Sequence, residues 1–333
     1  MKTTYLPFTS EMIPAAGELL ARRHQRNRGV LPVLPERFEN PEVGAKAIEA
    51  LLEKKNTSGY AAMRDGKLAA YLLGTTTVQP WGRCGWVYLP GSALAEGESV
   101  ETLQDLYALL GEDWVERGVF IHHTYLSAAD RGLVEAWFDL DFGKERIDAV
   151  LDFSRVEIPE IHVPEGIHIR RAGPEDNQRL AGMSHLIYRE VEKAPFWHPT
   201  PPELWDELRE GWAELADDES VTVWLALDGE KTVGTIATWK EEEGPEEMLV
   251  GPQTFTLSVA ATRPESRGQG VATALTWTCL SHARAQGYAY CHTDWISPNL
   301  AASRFWPRFG FQEVAYRLTK QVNPMIAWTR VPE

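Results

Sequence analysis

The chain has 333 residues, 44% of them hydrophobic and 24% charged, with a formal net charge of −15. At about 150 residues per domain, that length and apolar mass suit two ordinary globular cores. The acidic balance, with no Lys/Arg run, excludes a phosphate-neutralising nucleic-acid binder, and no apolar run nears the ~18 residues of a membrane span.

Three cysteines, Cys84, Cys279 and Cys291, are odd in number and widely spaced, which fits reduced thiols rather than a disulfide framework. The start, Met1 to Pro7, has no apolar signal core. A cytoplasmic protein is therefore expected, without a membrane partner.

In the N-terminal half, Tyr60–Met63 and Ala69–Leu73 flank Asp65-Gly66, a hairpin signal. The stretch 156–166, punctuated by Pro159 and Pro164 and closed by Gly166, reads as a linker. Two domains are expected on either side of it, 1–155 and 167–333. The second opens on a strand at Ile167–Arg170, followed by a helix over Glu175–Glu192 whose apolar stripe is Leu180, Met183, Ile187 and Val191. A proline-rich turn at Pro195–Pro202 and a helix over Glu203–Leu215 come next. Strands are predicted at Val221–Leu227, Thr232–Trp239 and Thr254–Val259, with Asp228-Gly229 turning the first hairpin. A long helix from about Gly270 stops before Gly287, a usual C-terminal signal. A strand at Tyr288–Trp295, a helix at Asn299–Phe309 and a last strand near Val314–Lys320 complete the half.

The two halves resemble each other. Gly118–Tyr125 (GVFIHHTY) aligns with Gly287–Asp294 (GYAYCHTD), and the same offset carries Asp130 onto Asn299 and Phe142 onto Phe311. Several matches in one order point to a duplicated domain. Each copy is expected to be α+β, a mixed, mostly antiparallel sheet flanked by helices.

The segment Arg267-Gly268-Gln269-Gly270-Val271-Ala272 between a strand and the long helix carries the chemistry. Its amides open a helix and face an approaching anion at the positive end of the dipole. Gly268 and Gly270 allow the tight turn, and Ala272 keeps the first helical turn uncluttered. A nucleoside-triphosphate loop would need Gly-Lys-Ser/Thr, and a dinucleotide fingerprint a third Gly; neither is present.

Arg267-x-x-Gly270-x-Ala272 resembles the Gln/Arg-x-x-Gly-x-Gly/Ala pyrophosphate motif of the GNAT acetyltransferase superfamily. Downstream, Asn299-x-x-Ala302, Trp306 and Phe309-Gly310-Phe311 are similar to the family's Asn-x-x-Ala…Gly-Phe signature. The likeness covers about residues 167 to 320. It implies two tandem GNAT-like domains and, in the second, acetyl-CoA held by Arg267 to Thr273, Asn299, Ala302 and Trp306. It further implies that backbone groups of Leu257, Val259 and Ala261 run along the pantetheine arm. The Val259 N–H would polarise the thioester carbonyl. The reaction implied is direct attack by a small amine in a ternary complex. The alternative is a CoA-binding or sensor protein without catalysis. A homodimer stays open.

Two points depart from the family pattern or leave it undecided. Where many members carry a tyrosine acid, this chain has Trp306, whose indole N–H is too weak an acid to supply a proton. Asp294 and His292, on one face of a strand beside the expected acetyl site, are the candidate bases; Glu246 and Glu247 belong to an acidic loop that either lines the amine entrance or is merely solvated. Cys291 lacks the setting of a nucleophile, and no cluster has metal-ligand spacing.

In the N-terminal copy the position of the pyrophosphate loop holds Glu98-Ser99-Val100-Glu101-Thr102-Leu103, with no glycine and two carboxylates. Pro90, without an N–H, stands in place of Val259. That copy is expected to keep the fold and to have lost CoA binding.

Overall fold

A computed structural model describes residues 3–79, 82–241 and 243–329. The chain divides into two compact units that do not follow chain order. The first comprises 1–148, 243–251 and 313–333; the second comprises 149–242 and 252–312.

Elements are numbered along the chain. The N-terminal half contributes β1 (Thr3–Pro7), α1 (Ile13–Val30), α2 (Pro41–Glu53), β2 (Thr57–Arg64), β3 (Lys67–Gln79), β4 (Gly82–Val87), β5 (Ser92–Leu94), α3 (Glu101–Glu116), β6 (Ile121–Ser127), α4 (Arg131–Phe138) and β7 (Gly143–Asp152). The C-terminal half contributes β8 (Ile167–Arg171), α5 (Asn177–Ala181), α6 (His185–Val191), α7 (Trp205–Glu214), β9 (Val221–Asp228), β10 (Lys231–Lys240), β11 (Thr254–Thr262), α8 (Val271–Ala285), β12 (Tyr290–Ile296), α9 (Leu300–Phe305) and β13 (Gln312–Gln321).

In the first unit the strands run β1-β2-β3-β4-β6-β13. All these neighbours are antiparallel except β4 and β6, which are parallel. One face packs α3 and α4 through Leu106, Leu110, Trp114 and Trp137, and the other packs α1 and α2 through Leu20, Ile48 and Leu51, with Phe38 from the 3-10 turn between them. In the second unit the order is β12-β11-β10-β9-β8, antiparallel except for the parallel β11–β12 pair. This is the mixed, mostly antiparallel α+β architecture expected from the element pattern.

Both Asp-Gly turns are hairpins: Asp65 and Gly66 have φ of 51° and 76°, and Gly229 has 54°. Left-handed backbone at the turn is what these residues allow at least cost.

Three local expectations are corrected. The helix over Glu175–Glu192 is broken: a 3-10 turn at Pro174–Asp176 leads into α5, and Gly182–Ser184 separate α5 from α6. The break is stabilised where Ser184 Oγ donates to the Ala181 carbonyl at 2.9 Å and Met183 N to that of Leu180 at 2.8 Å, which is the local competition that serine offers a helix. The helix expected over Asn299–Phe309 ends as α9 at Phe305 and tightens into a 3-10 turn from Trp306, because Pro307 cannot extend the ladder. The acidic loop around Glu246 and Glu247 is not merely solvated. It packs in the first unit, where Lys54 Nζ lies 2.9 Å from Glu246 Oε2 and Glu247 Oε1 accepts from Leu249 N at 2.8 Å.

Candidate active site

The cleft of the second unit begins at a defect in β11. Against β10, Val259 pairs with Ala237 and Leu257 with Thr238, so Ser258 is an extra residue on β11. Such a bulge bends and twists its strand. On the other side, β11 and β12 pair in parallel from Thr254–Tyr290 to Leu257–Thr293 and no further, although both strands continue to Thr262 and Ile296. They therefore splay. Between them lies a cleft of about 620 Å³, lined by Ser258, Ala260, Ala261 and Thr262 of β11 and by Thr293 to Ile296 of β12.

The Arg267–Thr273 segment forms the next wall. Pro264–Ser266 is a single 3-10 turn, and Gly268 and Gly270 take φ of 74° and 88°. These are left-handed values that only glycine adopts freely. Neither glycine is forced by crowding: a Cβ at Gly268 would meet nothing within 4 Å, and at Gly270 only Pro164 Cγ at 3.6 Å. Gly270 is the N-cap of α8 and offers no side chain, so the first amides of that helix lack a side-chain cap. Val271, Ala274 and Leu275 anchor the same turn in the core at 2% exposure or less. The loop is braced from within, as Gln269 Nε2 donates to the Glu265 carbonyl at 2.9 Å and Arg267 Nε to that of Thr262 at 3.3 Å.

Asn299 lines the cleft and caps α9, its Oδ1 accepting from Ala302 N at 3.2 Å. Ala302, Phe305 and Trp306 line it as well. Trp306 is also packed, 6% exposed, with ring centroids 5.0 Å from Phe305 and 5.9 Å from Phe311. It is at once a wall of the cleft and part of an aromatic core.

Of the candidate residues, Ala261, Arg267, Gly268, Gly270 to Thr273, Asp294, Asn299, Ala302 and Trp306 meet at this cleft. Gln269 does not line it; its side chain turns back to the loop. Leu257 is the last residue paired to β12, at the apex. Val259 follows the bulge on the stretch that β12 does not pair, its half-buried side chain packed against the cluster of Met183 and Leu186. His292 is 8% exposed and is not part of the lining. Its Nδ1 lies 3.1 Å from Thr256 Oγ1 and 3.9 Å from Glu241 Oε1. Only Asp294 of the two candidate bases reaches the cleft. Cys291 is buried, which drives its thiol well above the usual range and leaves it inert.

Residues from α6 and the following turn, Leu186, Ile187, Glu190, Val191 and Phe196, close the cleft. Their part was legible in the sequence only as the aromatic residues and carboxylates of Tyr188 to Trp212, which suit an aromatic or cationic acceptor or a cap on the core equally. Glu190 is one of several carboxylates in that segment, and nothing in the sequence singles it out. Within that segment, Trp212 packs in the core, Tyr188 and Trp205 stack at 5.3 Å, and Trp197 is exposed.

The described residues of the first unit are built differently at the corresponding place. After β4 the backbone turns into a 3-10 helix at Leu89–Gly91 before β5. The carbonyls there are held by buried side chains: Tyr71 Oη donates to Pro90 O at 2.8 Å and Arg23 Nη2 to Leu89 O at 2.7 Å. Glu98, just ahead of α3, lies 2.9 Å from Arg64 Nη2.

Residues 185–311 match the Acetyltransferase (GNAT) family. Those residues carry a GNAT acetyltransferase domain, a match to well under half of the chain. Over 114 residues the chain is 32% identical to N-acetyltransferase 8B of Rattus norvegicus, covering 34% of this chain and 47% of that protein. Over 90 residues it is 37% identical to N-acetyltransferase 8B of Homo sapiens, covering 27% and 38%. The chain thus spans less than half the length of these relatives. Across its whole length the fold is that of tandem GNAT proteins. A GCN5-related N-acetyltransferase from Sphaerobacter thermophilus superposes with a TM-score of 0.61 at 17% identity, covering 97% of this chain and 96% of that one. A tandem GNAT protein from the clavulanic acid biosynthesis pathway gives 0.52 at 12% identity, covering 97% and 99%. No helix among the described residues is long and apolar enough to cross a membrane.

Proposed function

We propose that the chain is an N-acetyltransferase whose second unit binds acetyl-CoA and a small amine together, while the first unit is a copy without a CoA loop. The observation that carries this reading is the convergence of two binding devices on one cleft. The uncapped first turn of α8 offers amides and a positive dipole end to a diphosphate. The stretch of β11 beyond Leu257 offers backbone groups that β12 no longer satisfies, suited to an extended amide-bearing arm such as pantetheine. Asn299 lines the same cleft and is the side chain assigned to that arm.

Acetyl-CoA, when bound, supplies an activated thioester. The protein's part is positioning and proton handling. Val259 N–H, just past the bulge, is the donor assigned to the thioester carbonyl. Asp294, the carboxylate on the β12 side, takes the proton from the attacking ammonium, directly or through water. The amine nitrogen forms the new bond to the acyl carbon as the carbon–sulfur bond breaks, and water protonates the departing thiolate, since Trp306 cannot. His292, enclosed with Thr256 and Glu241, holds the strand pair rather than the proton. A homodimer and a cytoplasmic site of action belong to the same reading.

Calorimetric titration with CoA, followed by a thiol-release assay with acetyl-CoA and a panel of amines, tests it. One site per chain and amine-dependent thiol release are expected. Binding without release with any amine would favour the non-catalytic CoA-binding alternative.

A further inference from the structure

Glu190 places a carboxylate in the mouth of the cleft where an anionic ligand is expected. It lines the cleft together with Arg267, Gly268 and Gly270, and its Oε2 lies 3.0 Å from Arg267 Nη1. The same oxygen accepts from Lys193 Nζ at 2.7 Å. Arg267 Nη1 and Glu190 thus form an ion pair where a diphosphate would need the guanidinium. We propose that Glu190 is a built-in competitor for the anion site, holding Arg267 until the diphosphate of the donor displaces it, with Lys193 retaining the released carboxylate. The inference rests on the CoA-binding reading above.

Geometry sets the consequences. The α6 helix is fastened by Leu186, packed beside Ala261, so its apolar side stays in place when the ion pair opens. Lys193 is also the hub of the next turn: its carbonyl accepts from Phe196 N at 2.8 Å and from Trp197 N at 3.0 Å. Phe196 lines the same cleft. Exchange of Arg267 for Lys193 as the main partner of Glu190 therefore acts on the turn that carries the Phe196 wall. The carboxyl of Glu190, which burial alone would raise, is held low by Lys193 and Arg267 and so remains an anion at neutral pH.

The test is calorimetric titration of the full chain with CoA for the parent, Glu190→Gln, Lys193→Gln, Arg267→Gln and the double variant Glu190→Gln/Arg267→Gln. Removing the competitor should tighten CoA binding by roughly two- to fivefold, within the range of a partly exposed charge pair. Lys193→Gln should weaken binding by about two- to threefold, because Glu190 is then left to Arg267 alone. On an Arg267→Gln background, Glu190→Gln should gain less than on the parent. An unchanged or weakened affinity for Glu190→Gln, with the parent binding CoA normally, overturns the proposal. A parent that binds no CoA overturns the underlying reading instead.

Discussion

Thr293 and Leu257 are the last residues that β12 and β11 share, and the Thr293 Oγ1 donates to the Leu257 carbonyl at 2.8 Å. That bond fixes the apex from which the strands diverge. Thr293 is 1% exposed, so Thr293→Val keeps the shape and leaves a buried carbonyl with one partner fewer. A loss of about 1 kcal/mol in urea unfolding is expected, together with a raised KM for acetyl-CoA. An unchanged KM would mean that the apex does not set the width of the cleft.

Gly270 is constrained by its φ of 88° and by the open space before it. Gly270→Ala should cost about 1–2 kcal/mol of stability from left-handed strain alone. Gly270→Glu adds a carboxylate at the start of α8 and should abolish CoA binding while the chain stays folded. CoA affinity within about threefold of the parent would show that the α8 turn does not hold the ligand.

Titration with CoA should return one site per chain. In the first unit the stretch at Leu89–Gly91 is bent, its carbonyls are taken by Tyr71 and Arg23, and Glu98 precedes α3. Two sites would remove the grounds for calling that copy inactive.

Trp306 both packs and lines the cleft. Truncation to Ala should therefore cost roughly 3–5 kcal/mol in thermal or chemical unfolding and also raise KM for acetyl-CoA. Trp306→Phe keeps most of the packing and should lower kcat less than about tenfold. A thousandfold loss would show that the indole N–H makes a decisive bond in the transition state.

Asp294 and His292 separate by position. Asp294→Asn should lower kcat by about a hundredfold or more, the usual reach of a general base, whereas His292→Gln should change kcat by less than about threefold, since His292 does not line the cleft. Reversed magnitudes in steady-state kinetics would move the base to His292.

Acid stability should depend on Glu145. It accepts from Arg317 Nε and Nη2 at 3.0 Å each and from Thr319 Oγ1, with His123 Nδ1 at 3.5 Å. Burial alone would raise its carboxyl, but His123, Arg317 and Thr319 hold it at about 2, below its ordinary 4.5. The folded state thus binds this proton more weakly than the unfolded chain does. The stabilisation is complete above the unfolded value and is lost as pH falls from about 4.5 through 2. In urea melts across that window, Glu145→Gln should flatten the fall in stability; an unchanged slope would show that another group dominates.

What the sequence determined by itself is local. The Asp65-Gly66 turn, the stop at Gly287 and the Arg267–Ala272 turn all follow from neighbouring residues whose backbone preferences need no distant partner. Gly268, Gly270 and Gly287 take the positive φ values that make them legible. The internal repeat was readable for the same reason, as it is a property of residue order.

The tertiary structure alone decided which strands meet and where they part. Nothing in the period of Val314–Lys320 tells that β13 pairs with β6, Ala315 opposite Ser127 and Gln321 opposite Ile121. Alternation fixes which face of a strand is buried, but not which strand lies beside it or in what register. The bulge at Ser258, the end of pairing after Leu257 and Thr293, and the approach of Glu190 to Arg267 all depend on residues far apart in the chain. Backbone hydrogen bonding makes any two strands competent to pair, so the cleft exists only where long-range packing stops them from doing so.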